Sequence, residues 1–177
     1  MSKRSGTVVA IDDIVAAIGV DAARYALARY SLDSSIDLDL DLWASRSTDN
    51  PVYSVQYAHT RICSLLRNAA IAGCTLGAGY DPAVLTHERE TALLKSLAGF
   101  PAVVATAAAL RAPHRVARYA EELASCYHRF NDACRVLPRA GEEFSELGRA
   151  RLWLAAATRV VLASALNLLG VTAPDRM

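Results

Sequence analysis

The chain of 177 residues is poor in helix breakers, with 9 glycines and 6 prolines. Together with abundant alanine, that scarcity favours helices. Charge of either sign is also not in excess: the formal net charge is +1. A dominant, nonspecific electrostatic grip on nucleic acid is thereby excluded, and any such binding must lean on local arginines and on stacking. The 4 cysteines, Cys63, Cys74, Cys126 and Cys134, form no CxxC pair, and the histidines show no zinc spacing near them. Buried free thiols in a reducing cytosol, with no metal, are expected. The N-terminus MSKRSG is basic, but no apolar run of signal-peptide type follows it. No stretch has the uninterrupted apolar length of a membrane span; the alanine-rich segment 102–110 is too short and is flanked by Pro101 and Arg111. Also missing are a Gly-rich phosphate loop, GxSxG, HExxH and Walker-type stretches, and no acid pair or Cys/His pair stands out as a reaction centre. What remains, with an apolar fraction of 53%, is one domain, or one domain with a small appendage, able to bury a real core.

The most informative stretch is NPVYSVQYAHTRICSLLRNAA, residues 50–70. Asn50 suits a helix N-cap and Pro51 the first helical position, whose N–H would be unpaired anyway. Gly73 suits the C-terminal cap. One face carries Val55, Ile62 and Leu66, with Ala58, Ala69 and Ala70 allowing close packing. Another stacks Tyr53, Tyr57 and Arg61 at four-residue spacing. Such a stripe is either buried aromatics beside a solvated charge or a platform for a nucleobase, because aromatic rings and guanidinium planes both stack on bases. His59 reads as a satisfied core or surface residue rather than a base.

Around this helix the chain reads as further helices. One is predicted over roughly 12–30, with a break near Gly19 and a local ion pair between Asp21 and Arg24. Residues 34–43, SSIDLDLDLW, alternate Ile36, Leu38, Leu40 and Leu42 with Asp37, Asp39 and Asp41, the period-two pattern of a half-buried strand. The three aspartates lack the glycine turn and distal glutamate of a calcium loop, so they read as a solvated strand face. Helices are then expected over 83–97, from Pro101 to about 110, from Pro113 to about 136 and over about 145–169, the last capped by Gly170. In the third of these, Val116, Ala120, Leu123, Tyr127, Phe130 and Leu137 trace a core stripe, with Arg115, Arg118, Arg129 and Arg135 on wetter sides. Short loops between amphipathic helices predict an antiparallel bundle. The expected fold class is mainly α with one short N-terminal strand.

Several separated motifs resemble the C-terminal part of a bacterial arginyl-tRNA synthetase. Met1-Ser2-Lys3-Arg4 resembles the tail of the KMSKS loop. Asp21-Ala22-Ala23-Arg24 is a variant of the DALR signature, with Ala23 in place of leucine. Asn50-Pro51, Val55-Gln56-Tyr57-Ala58-His59 and Arg61 form the third motif. Leu168-Leu169-Gly170-Val171 with Pro174-Asp175-Arg176-Met177 resembles the family's ending. The resemblance runs from end to end and implies a helical bundle of the class I synthetase anticodon-binding type over 44–177. Residues 1–43 would then be the end of a catalytic core and a linker, the strand's partner lying upstream. It implies anticodon contacts at Asn50, Tyr57, Arg61 and Met177, with Tyr53, Tyr127, Arg129 and Trp153 as packing or surface residues. Lys3 matches the second KMSKS lysine, but no catalytic set is complete: the HIGH motif and nucleotide-binding fold are absent. The implied partners are the anticodon loop of tRNA(Arg) and a synthetase catalytic domain, in the cytoplasm, with no membrane and no DNA. The implied cofactors are none for this chain, and ATP with magnesium for a full-length enzyme. The chain alone is expected not to aminoacylate. It is expected to be either a separately produced piece or a reading frame begun at an internal methionine. The alternative reading is a non-catalytic structural or protein-interaction remnant that no longer binds tRNA.

Overall fold

A computed structural model describes residues 10–177; the expectation for Lys3 lies outside them. Among the described residues there are seven α-helices: α1 Ile11–Ile18, α2 Val20–Arg29, α3 Leu40–Ala44, α4 Pro51–Ile71, α5 Glu88–Ala109, α6 His114–Ala133 and α7 Glu146–Leu168. A 3-10 turn, Pro82–Val84, precedes α5. Helices α4 to α7 pack on one another as the bundle, and α2 lies against α4 and α6. The predicted break at Gly19 is present, at φ +81° between α1 and α2.

Local signals end α4 and α7 where the sequence places their ends. At the close of α4, Gly73 has φ +70°, its N–H donates to Ala70 O, and the Cys74 N–H donates to Ala69 O. At the close of α7, Gly170 repeats the arrangement through Val171 N–H to Leu166 O. Both are Schellman caps, which need a left-handed residue that glycine supplies without a Cβ penalty. Ser145 caps α7 by accepting from Gly148 N–H.

The core contains Val116, Ala120, Leu123, Tyr127 and Phe130 of the predicted stripe, all buried, with Leu137 packed at its edge. Tyr25 enters it from α2, fully buried, and donates to Ala117 O at 3.0 Å. Arg29 grips Glu121 with two hydrogen bonds, 2.7 and 3.1 Å, fixing α2 on α6. All four cysteines are buried free thiols.

Three expectations are corrected. Residues 34–39 form no strand, and 40–44 are helix α3. A lone strand leaves its backbone groups unpaired, whereas Asp39 caps α3 by accepting from Leu42 N–H at 3.1 Å, and Trp43 is delivered into the core. Asp37, Asp39 and Asp41 are all exposed and share no strand face. Residues 88–109 form one helix through Pro101 rather than two. An interior proline costs about 3 kcal/mol. Packing overrides it here: Phe100 stacks on Tyr119 at 5.4 Å, and the Tyr119 hydroxyl donates to Ser96 O. This continuous α5 is long and apolar enough to cross a membrane by length and composition, a length the two-helix reading did not foresee. It packs on α6 and α7 within the bundle. Finally, Asn50 does not cap α4 through its side-chain oxygen. Its amide instead donates to Trp43 O and Ser45 O, both at 2.9 Å, tying α3 to the start of α4.

Candidate nucleic-acid interface

The four-residue spacing on α4 becomes a stack of rings. Tyr53 and Tyr57 lie nearly parallel, 6.0 Å apart at 7°. Tyr57 then meets His128 of α6 at 5.9 Å and 29°. Both separations fall within the range of favourable aromatic pairs. Arg61, one turn further, places Nη1 3.5 Å from His128 Nδ1 and Nη2 3.5 Å from Asp132 Oδ1. These are contacts at the outer limit of hydrogen bonding, so the guanidinium is only loosely committed. Tyr57 is 37% exposed, so the stack reaches the surface instead of closing into the core.

Beside the stack opens a cavity of about 560 Å³, in the range of about 300–1,000 Å³ usual for small-molecule sites. Asn50, Tyr53, Gln56, Arg46, Asp21 and Met177 are among its lining residues. Asn50 is buried with both amide hydrogens used, and its Oδ1 has no partner. Met177, 55% exposed, is held there by a C-terminal segment laid along α4.

Of the residues singled out from sequence, Asn50 and Met177 therefore share the cavity, while Tyr57 and Arg61 continue along α4 from Tyr53 at its wall. Tyr127 is fully buried, the half-buried Trp153 donates to Leu76 O in the loop after α4, and Arg129 is exposed beside Ser125. Tyr53 does more than pack, since it joins the ring stack and the cavity wall together. His128 was not singled out. It sits among core residues of α6, and nothing local marks it as facing Tyr57.

Burial lowers the His128 pKa below the ordinary histidine range, and the Arg61 cation lowers it further, against the opposing pull of Asp132. The folded state thus binds fewer protons than the unfolded one around and below the ordinary value. The contribution is complete above that value and is lost as the pH falls through the window beneath it. Stability is expected to drop as the pH falls below the ordinary histidine value, with a slope under the one-proton limit of about 1.4 kcal/mol per pH unit. Denaturant melts of His128→Phe should lack that part of the slope; an identical slope in both proteins would contradict it.

His59, Cys63 and Asp175 place three possible metal ligands within 4.8 Å of one another. Each already has a protein partner. His59 Nδ1 donates to Pro174 O at 2.9 Å, and the Cys63 thiol donates to Asp175 Oδ1 at 3.2 Å. Burial pushes the Cys63 thiol up, and Asp175 adds to the effect, so it stays a donor. Arg159 stands beside Cys63 and Arg67 holds Asp175 O, two cations that oppose a third. The cluster therefore reads as a fastening of the C-terminal segment.

Residues 55–177 match the family model described as DALR anticodon binding domain. The whole chain is 62% identical to an arginine–tRNA ligase of Kineococcus radiotolerans and 62% identical to one of Frankia alni, covering 32% of each. It thus spans about a third of the length of the curated relatives it matches. The fold superposes on Thermus thermophilus arginyl-tRNA synthetase with a TM-score of 0.75 and 27% identity, over 99% of this chain and 29% of that one. A family model covering most of the chain, on a helical bundle with a surface ring stack, shows that the chain belongs to the DALR anticodon binding domain family.

Proposed function

We propose that this chain binds the anticodon loop of an arginine tRNA, with Tyr53, Tyr57, His128 and Arg61 as the stacking surface and Asn50 and Met177 at the adjoining cavity. The observation that carries the reading is the partly exposed ring stack at the wall of a cavity lined by Asn50 and Met177. Single-stranded loops are recognised by splayed bases stacked on flat side chains and bonded at their edges, which demands little net charge. That the relatives are arginine–tRNA ligases supplies the amino acid. We place the chain in the cytoplasm, where its buried thiols stay reduced.

The test is fluorescence anisotropy with an arginine anticodon stem-loop, at low and moderate salt, beside the same loop with its middle anticodon base changed. The change should weaken binding about tenfold, within the 1–3 kcal/mol typical of a lost base-edge contact. Equal binding to both loops would overturn the proposal. We assign ATP- and magnesium-dependent arginylation to the remaining two thirds of the relatives' length. These 177 residues alone should therefore show no arginine-dependent ATP–pyrophosphate exchange, and exchange above background would refute that assignment.

A second reading is a protein-docking module that no longer binds tRNA, and one observation favours it. An apolar cavity of about 630 Å³ lies among Ile11, Ile14, Leu27, Ile36, Leu38 and Leu40, several of them substantially exposed. Its occupant would be the synthetase portion that the relatives carry beyond the match. A clean monomer in light scattering, with no retention of a synthetase, would count against this reading.

A further inference from the structure

The signature from which the family takes its name spans Asp21 to Arg24. Three residues apart on α2, these two side chains were expected to pair with each other. Instead each turns to the C-terminal segment. Arg24 Nη1 donates to Gly170 O at 3.0 Å, and the added bulk of a Cβ at Gly170 would meet that same nitrogen at 2.8 Å. Asp21 accepts from the Thr172 N–H at 3.3 Å and from the Thr172 hydroxyl. Gln56 of α4 completes the junction, its Nε2 lying 2.8 Å from Asp21 Oδ2 and 3.0 Å from Thr172 O. Between the two polar residues, Ala22 and Ala23 are buried, holding this turn of α2 against the bundle.

From that junction the segment follows α4. His59 and Thr60 both donate to Pro174 O at 2.9 Å, and Arg67 donates to Asp175 O at 3.1 Å. Met177 ends at the cavity that Asp21 and Gln56 also line. Val171 is the last fully buried apolar residue before it. Beyond Val171, Ala173 packs at the edge of the core, and polar contacts hold Thr172, Pro174 and Asp175, the first of them to Asp21.

We infer that Asp21 and Arg24 are positioning residues: they lock the C-terminal segment at its root and so fix Met177 at the mouth of the cavity. The consequence for RNA affinity rests on the function proposed above; the lock itself does not.

Two readouts separate the two. Carboxypeptidase Y trimming, followed by mass spectrometry, reads the lock without RNA. Asp21→Ala should be trimmed to Ala173 at least about tenfold faster than the parent, as protection falls with the local opening free energy. Thr172→Val, which removes the hydroxyl from the other side of the contact, should also speed trimming, and Thr172→Ser should restore the parent rate. Melting curves confirm that the variants compared are folded. Stem-loop anisotropy reads the consequence. Asp21→Ala and deletion of residues 173–177 should weaken binding by the same factor, and together by no more than either alone, since sites acting through one element are not additive. Unchanged trimming in both Asp21→Ala and Thr172→Val would overturn the lock. Additive losses would show that Asp21 meets the RNA itself, which also overturns the inference. If the parent binds no stem-loop, the proposed function fails, and trimming alone decides the lock.

Discussion

Arg151→Met is expected to destabilise the protein by about 3–5 kcal/mol, the cost of removing one partner from a buried ion pair. Glu90 is fully buried, and Arg151 Nε reaches its Oε1 at 2.6 Å. Its other oxygen accepts the His87 N–H at 2.8 Å, closing a capping box at the start of α5. Arg151 also donates to Arg135 O at 2.8 Å, beyond the end of α6. One ion pair thus ties α5, α6 and α7. Methionine keeps the apolar stem but leaves Glu90 with a single hydrogen bond in a site without water access. In a chain of this size the loss corresponds to a fall in Tm of roughly 10 °C. Denaturant melts would measure it. The double variant Glu90→Gln with Arg151→Met should recover much of the loss, because the penalty comes from the stranded charge and not from the missing attraction. A change in Arg151→Met below about 1 kcal/mol, the scale of a solvated surface pair, would mean that the pair is not desolvated.

Tyr57→Ala is expected to weaken stem-loop binding by about 10- to 100-fold, the 1–3 kcal/mol that one base–aromatic stacking contact contributes. Tyr57 is the middle ring, between Tyr53 on its own helix and His128 on α6. Its removal deletes a flat surface and leaves the two outer rings without a common neighbour. The residue is partly exposed, so the fold should lose only about 1 kcal/mol or less, as for most surface positions. Tyr57→Phe, which keeps the ring, should retain most of the affinity. Anisotropy measured beside a melting curve separates the two effects. Full affinity in a folded Tyr57→Ala protein would remove the stack from the interface.

What could be read from residues alone was what acts within a turn or two of helix. Pro51 at the start of α4, glycines after α4 and α7, and the stripe from Val116 to Phe130 all work through neighbours at i+3 or i+4, so their effect is written locally. The Tyr53, Tyr57 and Arg61 row was legible for the same reason. The family motifs were legible as patterns, but not what Asp21 and Arg24 hold.

The errors share one cause. The alternation over 34–42 fits a strand only if a second strand supplies hydrogen bonds, and none lies among the described residues; Asp39 and the burial of Trp43 then favour a short helix. Pro101 breaks a helix only where packing does not compensate, and Phe100 against Tyr119 does. Asn50 caps locally unless distant carbonyls claim its amide first.

The sequence by itself determined a helical bundle, the position of most of its caps, the apolar stripe of α6 and the aromatic row of α4, because helix periodicity and capping are short-range. Only the tertiary structure decided that His128 completes the ring stack, that Glu90 is held by Arg151 from 61 residues away, and that Asp21 fastens Thr172 across 151 residues. Those partners are chosen by how the helices pack, and no spacing along the chain encodes which faces will meet.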